Sequence, residues 1–312
     1  MKQRPLLGFS LALIAAMTWG TLPIAAQQVL KVMDAQTLVW VRFVIASAGL
    51  LLILGFAKRL PKLTACSKKE FSLILLGVCG LAANFFLFAE ALHYVSPVTN
   101  QVLWQLAPFS MILLGVLLFK EKFGFFQKLG FMLLIAGLIA FFNDKFAEIL
   151  QLNTYVLGVL LSAGASLIWV LYGVAQKLLL AKFNSQQVLF IIYIGCSLLM
   201  LPFATPAQLG ELEGGFLWGC FIYCCLNTLI GYGSYGEALN HWDTSKVSIV
   251  TTMLPIFTMI FSNISHYFYP HIFAELDMNW ISYLGAFVVV GGAILAIAGD
   301  KLFKRGGVYK RL

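Results

Sequence analysis

Glu90-Ala91-Leu92 is followed by Pro108 eighteen positions after the glutamate, and Glu237-Ala238-Leu239 is followed by Pro255 at the same distance. Working outward, Trp19 stands eleven residues after Gly8 and Trp169 eleven after Gly158, an offset of 150 that Gln36 and Gln186 keep. Gly130 and Gly137 have counterparts in Gly285 and Gly292, again seven apart. One pattern is written twice. If each copy crosses a membrane an odd number of times, the second is inserted upside down relative to the first. Such inverted repeats place one substrate site between their halves.

The composition requires a membrane. Hydrophobic residues make up 61% of the chain and charged residues 11%, with a mean hydropathy of +0.89. A soluble domain carries about a quarter charged residues. Ten apolar stretches are read as spans at 5–27, 35–57, 71–93, 97–119, 126–143, 154–177, 185–204, 214–239, 244–268 and 280–299. Their lengths fit helices of about 20 residues, whereas barrel strands need about 10 and alternate polar with apolar. Helices also satisfy their own backbone groups within hydrocarbon. The expected fold is an all-α membrane protein of ten transmembrane helices in two inverted five-helix repeats, over 1–143 and 154–299, with a basic cytoplasmic tail over 300–312.

A net charge of +8 could suggest nucleic acid, but the basic residues are distributed otherwise. With the N-terminus inside, eighteen lie at cytoplasmic ends, including Lys2, Arg4, Lys62, Lys120, Lys122, Lys182 and Lys301, against Lys31 and Lys145 outside. That asymmetry puts both termini in the cytoplasm, and the expected location is a bacterial inner membrane. Glu211, Glu213, Glu275 and Asp277 sit in outer loops without basic neighbours in sequence. The first apolar run is too long for a cleaved leader and carries the repeated tryptophan, so it belongs to the fold. The six cysteines fall mostly inside spans, without the spacing of a disulfide framework or zinc site, and read as small apolar residues.

Polar groups inside spans are costly and mark function or helix packing. Helix 3 carries Asn84 and Glu90 beside Phe85, Phe86 and Phe88; helix 8 carries Asn227, Tyr232, Tyr235 and Glu237 with Gly231, Gly233 and Gly236 interleaved. Those glycines let another backbone approach or let the helix bend. Helix 4 brings Asn100, Gln101, Trp104 and Gln105 before Pro108, and helix 9 brings hydroxyls before Pro255. A proline frees a carbonyl in the preceding turn, so Pro108 and Pro255 are candidate hinges, with simple kinks the alternative. Glu90 and Glu237 either cap or pair locally, or form a proton relay at a gate. Arg42 either snorkels to the outer interface or pairs with Asp34, with anion binding the less favoured reading.

Trp19, Phe88, Trp104, Trp169, Tyr172, Tyr232 and Tyr235, with Asn84 and Asn227, are the candidate substrate contacts. An aromatic cavity with a few amides and hydroxyls suits an amphipathic organic solute rather than a bare ion. Interface belts account for other aromatics. His93, His241, His266 and His271 are scattered, which excludes a metal site, and no nucleophile elbow, phosphate loop or HExxH run is present. Neither cofactor, metal nor enzymatic reaction is expected.

With these residues in order, the chain resembles the EamA branch of the drug/metabolite transporter superfamily. The resemblance rests on Trp19-Gly20, on Arg42-Phe43 followed by Ala46, on Glu90-Ala91-Leu92, Pro108 and Glu121, and on Gly130 with Gly137. It covers essentially the whole chain in two units. The second half departs from it, since nothing matches Glu121 near Phe268 to Pro270 and Ile192 stands where Arg42 would. The resemblance implies a ten-helix carrier with a central cavity opening alternately to either side. The expected function is a secondary transporter of small organic metabolites, foremost an exporter of an amino acid or related compound. Import of a vitamin or nucleoside-like aromatic solute, or flipping of a lipid-linked sugar, are the alternatives.

Overall fold

The computed structural model describes residues 4–61, 66–119 and 123–303. Lys2, Lys62, Lys120, Glu121, Lys122 and the tail from 304 onward lie outside the described residues. The described chain is helical: α1 (Pro5–Val29), α2 (Ala35–Phe56), α3 (Lys68–Ala91), α4 (Pro97–Trp104), α5 (Leu106–Phe119), α6 (Phe125–Phe141) and the short α7 (Phe146–Leu150). Then come α8 (Thr154–Leu179), α9 (Ser185–Met200), α10 (Gly214–His241), α11 (Thr244–Thr252), α12 (Leu254–Phe268) and α13 (Trp280–Phe303). Taking α4 with α5 and α11 with α12 as interrupted rods, nine spans among the described residues are long and apolar enough to cross a bilayer. The remaining span, the fifth in chain order, is α6, with 17 residues, about 26 Å of helix.

Polar caps decide where several rods begin. Ser67 and Glu70 form a reciprocal capping box, so α3 starts at Lys68 rather than 71. Asp34 accepts from the Thr37 amide at the head of α2, and Asn184 with Gln187 caps α9. The seventh span is shorter than its apolar run. α9 ends at Met200 and a 3-10 turn, Leu201–Phe203, follows because Pro202 cannot continue the helix.

The connections sort onto two faces. Lys31 reaches the Ile272 carbonyl, Asp34 holds Gln208, Gln27 donates to Leu92, and Lys145 pairs with Asp277. Asp277 therefore does have a basic partner, supplied by a different loop. On the other face Lys182 pairs with Glu70 at 2.7 Å and the Arg4 amide donates to His241 at 3.2 Å. The first and last described segments share that second face.

The helix pairs reveal the symmetry. A Cβ on Gly137 of α6 would stand 2.9 Å from the Gly285 carbonyl of α13, and one on Gly285 would stand 2.7 Å from the Gly137 carbonyl. Two turns further on, a Cβ on Gly292 would stand 2.8 Å from the Gly130 carbonyl. Each glycine thus faces the counterpart of the other, Gly137 on Gly285 and Gly130 on Gly292, with the two helices antiparallel, which inverts one half relative to the other. In lipid the apolar effect does not drive helices together, so close backbone contact through small residues does. Elsewhere the halves exchange partners. α1 packs on α10, with Gly8 against the His241–Trp242 backbone, and α8 packs on α3, with Gly158 against Tyr94–Val95. The offsets 241−94 and 237−90 are both 147. All six cysteines are free; Cys196, Cys224 and Cys225 are buried, but Cys79 is exposed and Cys66 half-buried.

Candidate functional site

The aromatic residues converge where the two halves exchange helices. Trp19 of α1 lies edge-on to Tyr232 of α10 with centroids 5.1 Å apart, and 5.5 Å from Tyr235. Gly231 makes room: a Cβ there would collide with the Trp19 indole. Gly233 and Gly236 have open space, and α10 runs unbroken, so an indole approaches this glycine run rather than a backbone. The Trp169 side chain on α8 comes within reach of the Tyr232 hydroxyl. Trp169 then meets Trp104 at 5.8 Å and Tyr172 at 6.2 Å, and Trp104 meets Phe88 at 5.9 Å. Seven of the nine expected contacts form one chain of rings. Except for Tyr172, each is half-buried.

Asn84 and Asn227 do something else with their amides. Asn84 Nδ2 donates to the Ala165 carbonyl at 2.9 Å, and Asn227 Nδ2 to the Thr18 carbonyl at 2.6 Å. They tie α3 to α8 and α10 to α1, the two exchanged pairs. The Asn227 Oδ1 remains buried without a partner.

Both interrupted rods lie beside this cluster. The breaks fall at Gln105 and Met253, three and two residues before Pro108 and Pro255. A proline lacks the amide that would reach four residues back and its ring crowds that carbonyl, so the turn ahead of it opens. Gln105 Nε2 spans between the two breaks and donates to the Thr252 carbonyl at 2.8 Å. Gln101 Nε2 donates to Trp19 O at 2.9 Å, and Thr258 Oγ1 to Gly20 O at 2.6 Å, so both interrupted rods are tied to α1.

Glu90 and Glu237 lie outside the cluster, at opposite ends of α1. Glu90 lines a cavity of about 520 Å³ with Lys31, Asp34, His93 and Gln208. Glu237 is half-exposed and holds His241 Nε2 at 2.9 Å and Asn240 at 3.1 Å.

Arg42 corrects an expectation. It neither snorkels nor pairs with Asp34, whose oxygens are taken by the Thr37 amide and the Gln208 side chain. It is 4% exposed, with the guanidinium 4.7 Å from the Phe85 ring centroid and Nε unpaired. Phe85 stacks on Phe43 at 4.7 Å, Phe43 meets Tyr193 at 5.7 Å, and Tyr193 meets Tyr232 at 6.3 Å. The cation is thereby part of the aromatic assembly. Taking an ion out of water costs several kcal/mol, while one buried cation–π contact returns about 2 kcal/mol. Tyr193 and Phe43 were missed in the sequence because apolar runs give aromatics no distinguishing context. The offset 193−43 = 150 was the available signal.

The EamA-like transporter family model matches residues 6–143 and again 156–298. The chain belongs to the EamA family. It is 55% identical over 302 residues to an uncharacterized transporter of Haemophilus influenzae, covering 97% of this chain and 98% of that one. It is 44% identical over 313 residues to the uncharacterized inner membrane transporter YhbE of Escherichia coli, covering 99% and 96%. A more distant relative in E. coli, 19% identical over 304 residues (93% and 94% covered), is described as a probable amino-acid metabolite efflux pump. A crystal structure with 17% identity superimposes with a TM-score of 0.64 over 97% of this chain and 98% of its own, which shows the shared fold. This EamA protein is a multi-pass integral membrane transporter.

Proposed function

We propose that this protein carries a small amphipathic organic solute across the bacterial inner membrane by alternating access, with export of an amino acid or related metabolite as its role. One observation carries the reading: a continuous aromatic assembly drawn from both halves, running from Trp19 and Tyr232 through Trp169 to Trp104 and Phe88, beside two interrupted helices. Aromatic walls with scattered hydroxyls hold the apolar body of an organic solute and discriminate against bare ions. Interrupted helices at the interface of inverted repeats are where such carriers bind and rock. The inner-membrane wording for YhbE and the efflux wording for the distant relative support the location and direction. Both termini face the cytoplasm in this proposal, following the basic-residue asymmetry.

The test is uptake and counterflow in vesicles containing the purified full chain, across amino acids, vitamins and nucleosides at two pH gradients. Saturable movement of an amino acid is the expected result. Movement of vitamins or nucleosides alone would replace the substrate class, and no movement of any solute would overturn the carrier reading. Proton coupling through Glu90 and Glu237 would operate at the two ends of α1, as gates, and not at the aromatic assembly. Glu90→Gln and Glu237→Gln then abolish the response to the pH gradient; a retained response removes the relay.

A further inference from the structure

Among the described residues, the aromatic assembly holds one cation, Arg42, and no acid to answer it. Glu70, Glu148, Glu237, Asp243 and Asp277 are each held by a lysine or histidine near a helix end. None is paired with Arg42, which is more than nine-tenths buried and leaves its Nε unbonded. The Tyr193 and Tyr232 side chains and the Cys224 and Cys225 thiols lie around it. The Tyr193 hydroxyl, like that of Tyr172, is buried without a partner. A buried guanidinium with its Nε unbonded, over the Phe85 ring and in the same aromatic assembly as the unpartnered Tyr193 hydroxyl, is arranged to receive an anion.

We infer that Arg42 binds a carboxylate of the transported molecule, with the Tyr193 hydroxyl as a second donor and the molecule's apolar body against the rings of Tyr232 and Trp19. The inference rests on the carrier reading and names the charge its solute must present. The guanidinium offers two parallel N–H donors that match a carboxylate. A doubly charged phosphate would call for a second cation, and the assembly supplies none among the described residues. The repeat equivalent of Arg42 is Ile192 (192−42 = 150), fully buried at 0% exposure. The site is therefore charged on one side of the repeat relation only, as a solute with one acidic end requires.

The experiment uses the full chain in vesicles with matched pairs of solutes, each an amino acid or its deaminated acid beside the corresponding primary amide. Wild type moves the acids with kcat/KM at least about tenfold above the amides. Arg42→Gln raises KM for the acids by about tenfold or more and leaves the amides unchanged, with Arg42→Lys intermediate because it keeps the charge without the fork. Amides moved as well as acids, or an Arg42→Gln variant that depresses both alike, would overturn the assignment. If only neutral or cationic solutes move, the carrier stands and the Arg42 site falls. If nothing moves, the carrier reading itself falls and the assignment with it. Should Arg42→Gln fail to fold, the wild-type comparison of acid with amide decides alone.

Discussion

Ser47 Oγ on α2 lies 3.4 Å from Ser197 Oγ on α9, and the two serines are 150 residues apart, the offset that relates Trp19 to Trp169. Each donates to the carbonyl four residues back, Phe43 and Tyr193, whose rings also meet. Equivalent residues touch one another only where they straddle a symmetry axis. Gln105 and Thr252, at the offset 252−105 = 147, do the same between the interrupted rods. With α6 and α13 antiparallel, that axis runs across the helices. The solute site proposed around Trp19, Trp169 and Arg42 lies beside it.

Gly137 and Gly285 hold the fifth and tenth spans together by backbone contact. Gly137→Leu and Gly285→Leu should each destabilise the protein by about 2–3 kcal/mol, the range for overpacking a filled interface. The thermal transition of the detergent-solubilised protein measures this. Because the contact is reciprocal, the two variants should be similar; one tolerated leucine would mean the pair is not in backbone contact.

Trp19 and Trp169 should be needed for transport more than for folding, since both are half-buried. Trp19→Ala and Trp169→Ala are expected to lower kcat/KM by about tenfold or more. Trp169→Phe, which keeps a ring but loses the indole N–H, should fall between. Trp218→Ala, on the exposed side of α10 at 41% exposure, is the control and should leave transport unchanged. Equal effects at all three tryptophans would remove the aromatic site.

Replacing the prolines separates a hinge from a kink. Alanine at 108 or 255 restores the amide toward Trp104 or Thr251 and closes the break, so Pro108→Ala and Pro255→Ala should slow transport while stability holds or rises. Unaltered rates would leave them as fixed kinks. Gln105→Leu strands the buried Thr252 carbonyl and should cost about 1–3 kcal/mol, read from the same thermal transition.

Lys145 gives a pH prediction at the loop face. Its hydrogen bond to Asp277 raises the ammonium above its ordinary value. A raised lysine pKa adds stability that is complete below the unfolded value, about 10.4, and is lost as pH climbs through the folded value. Asp277 is largely exposed, so Asp277→Asn should cost no more than about 1 kcal/mol. The difference from wild type should be constant between about pH 6 and 9 and fade only in strong alkali. A difference that grew as pH fell toward 6 would contradict this assignment.

The sequence by itself determined the spans, the repeat and the recurrence of its glycines. A bilayer demands about 20 apolar residues per crossing, and a duplicated pattern leaves its offset in the numbering. It also named seven rings that the fold brings together, because Trp19 and Trp169 recur and their neighbours lie on the same helices. Only the tertiary structure decided that Asn84 and Asn227 tie helices by their amides, that the breaks fall at Gln105 and Met253, and that Arg42 joins the aromatic assembly. In lipid the surface facing hydrocarbon and the surface facing another helix are equally apolar. Periodicity therefore cannot say which way Arg42 points. Packing against Phe85, from a different span, does.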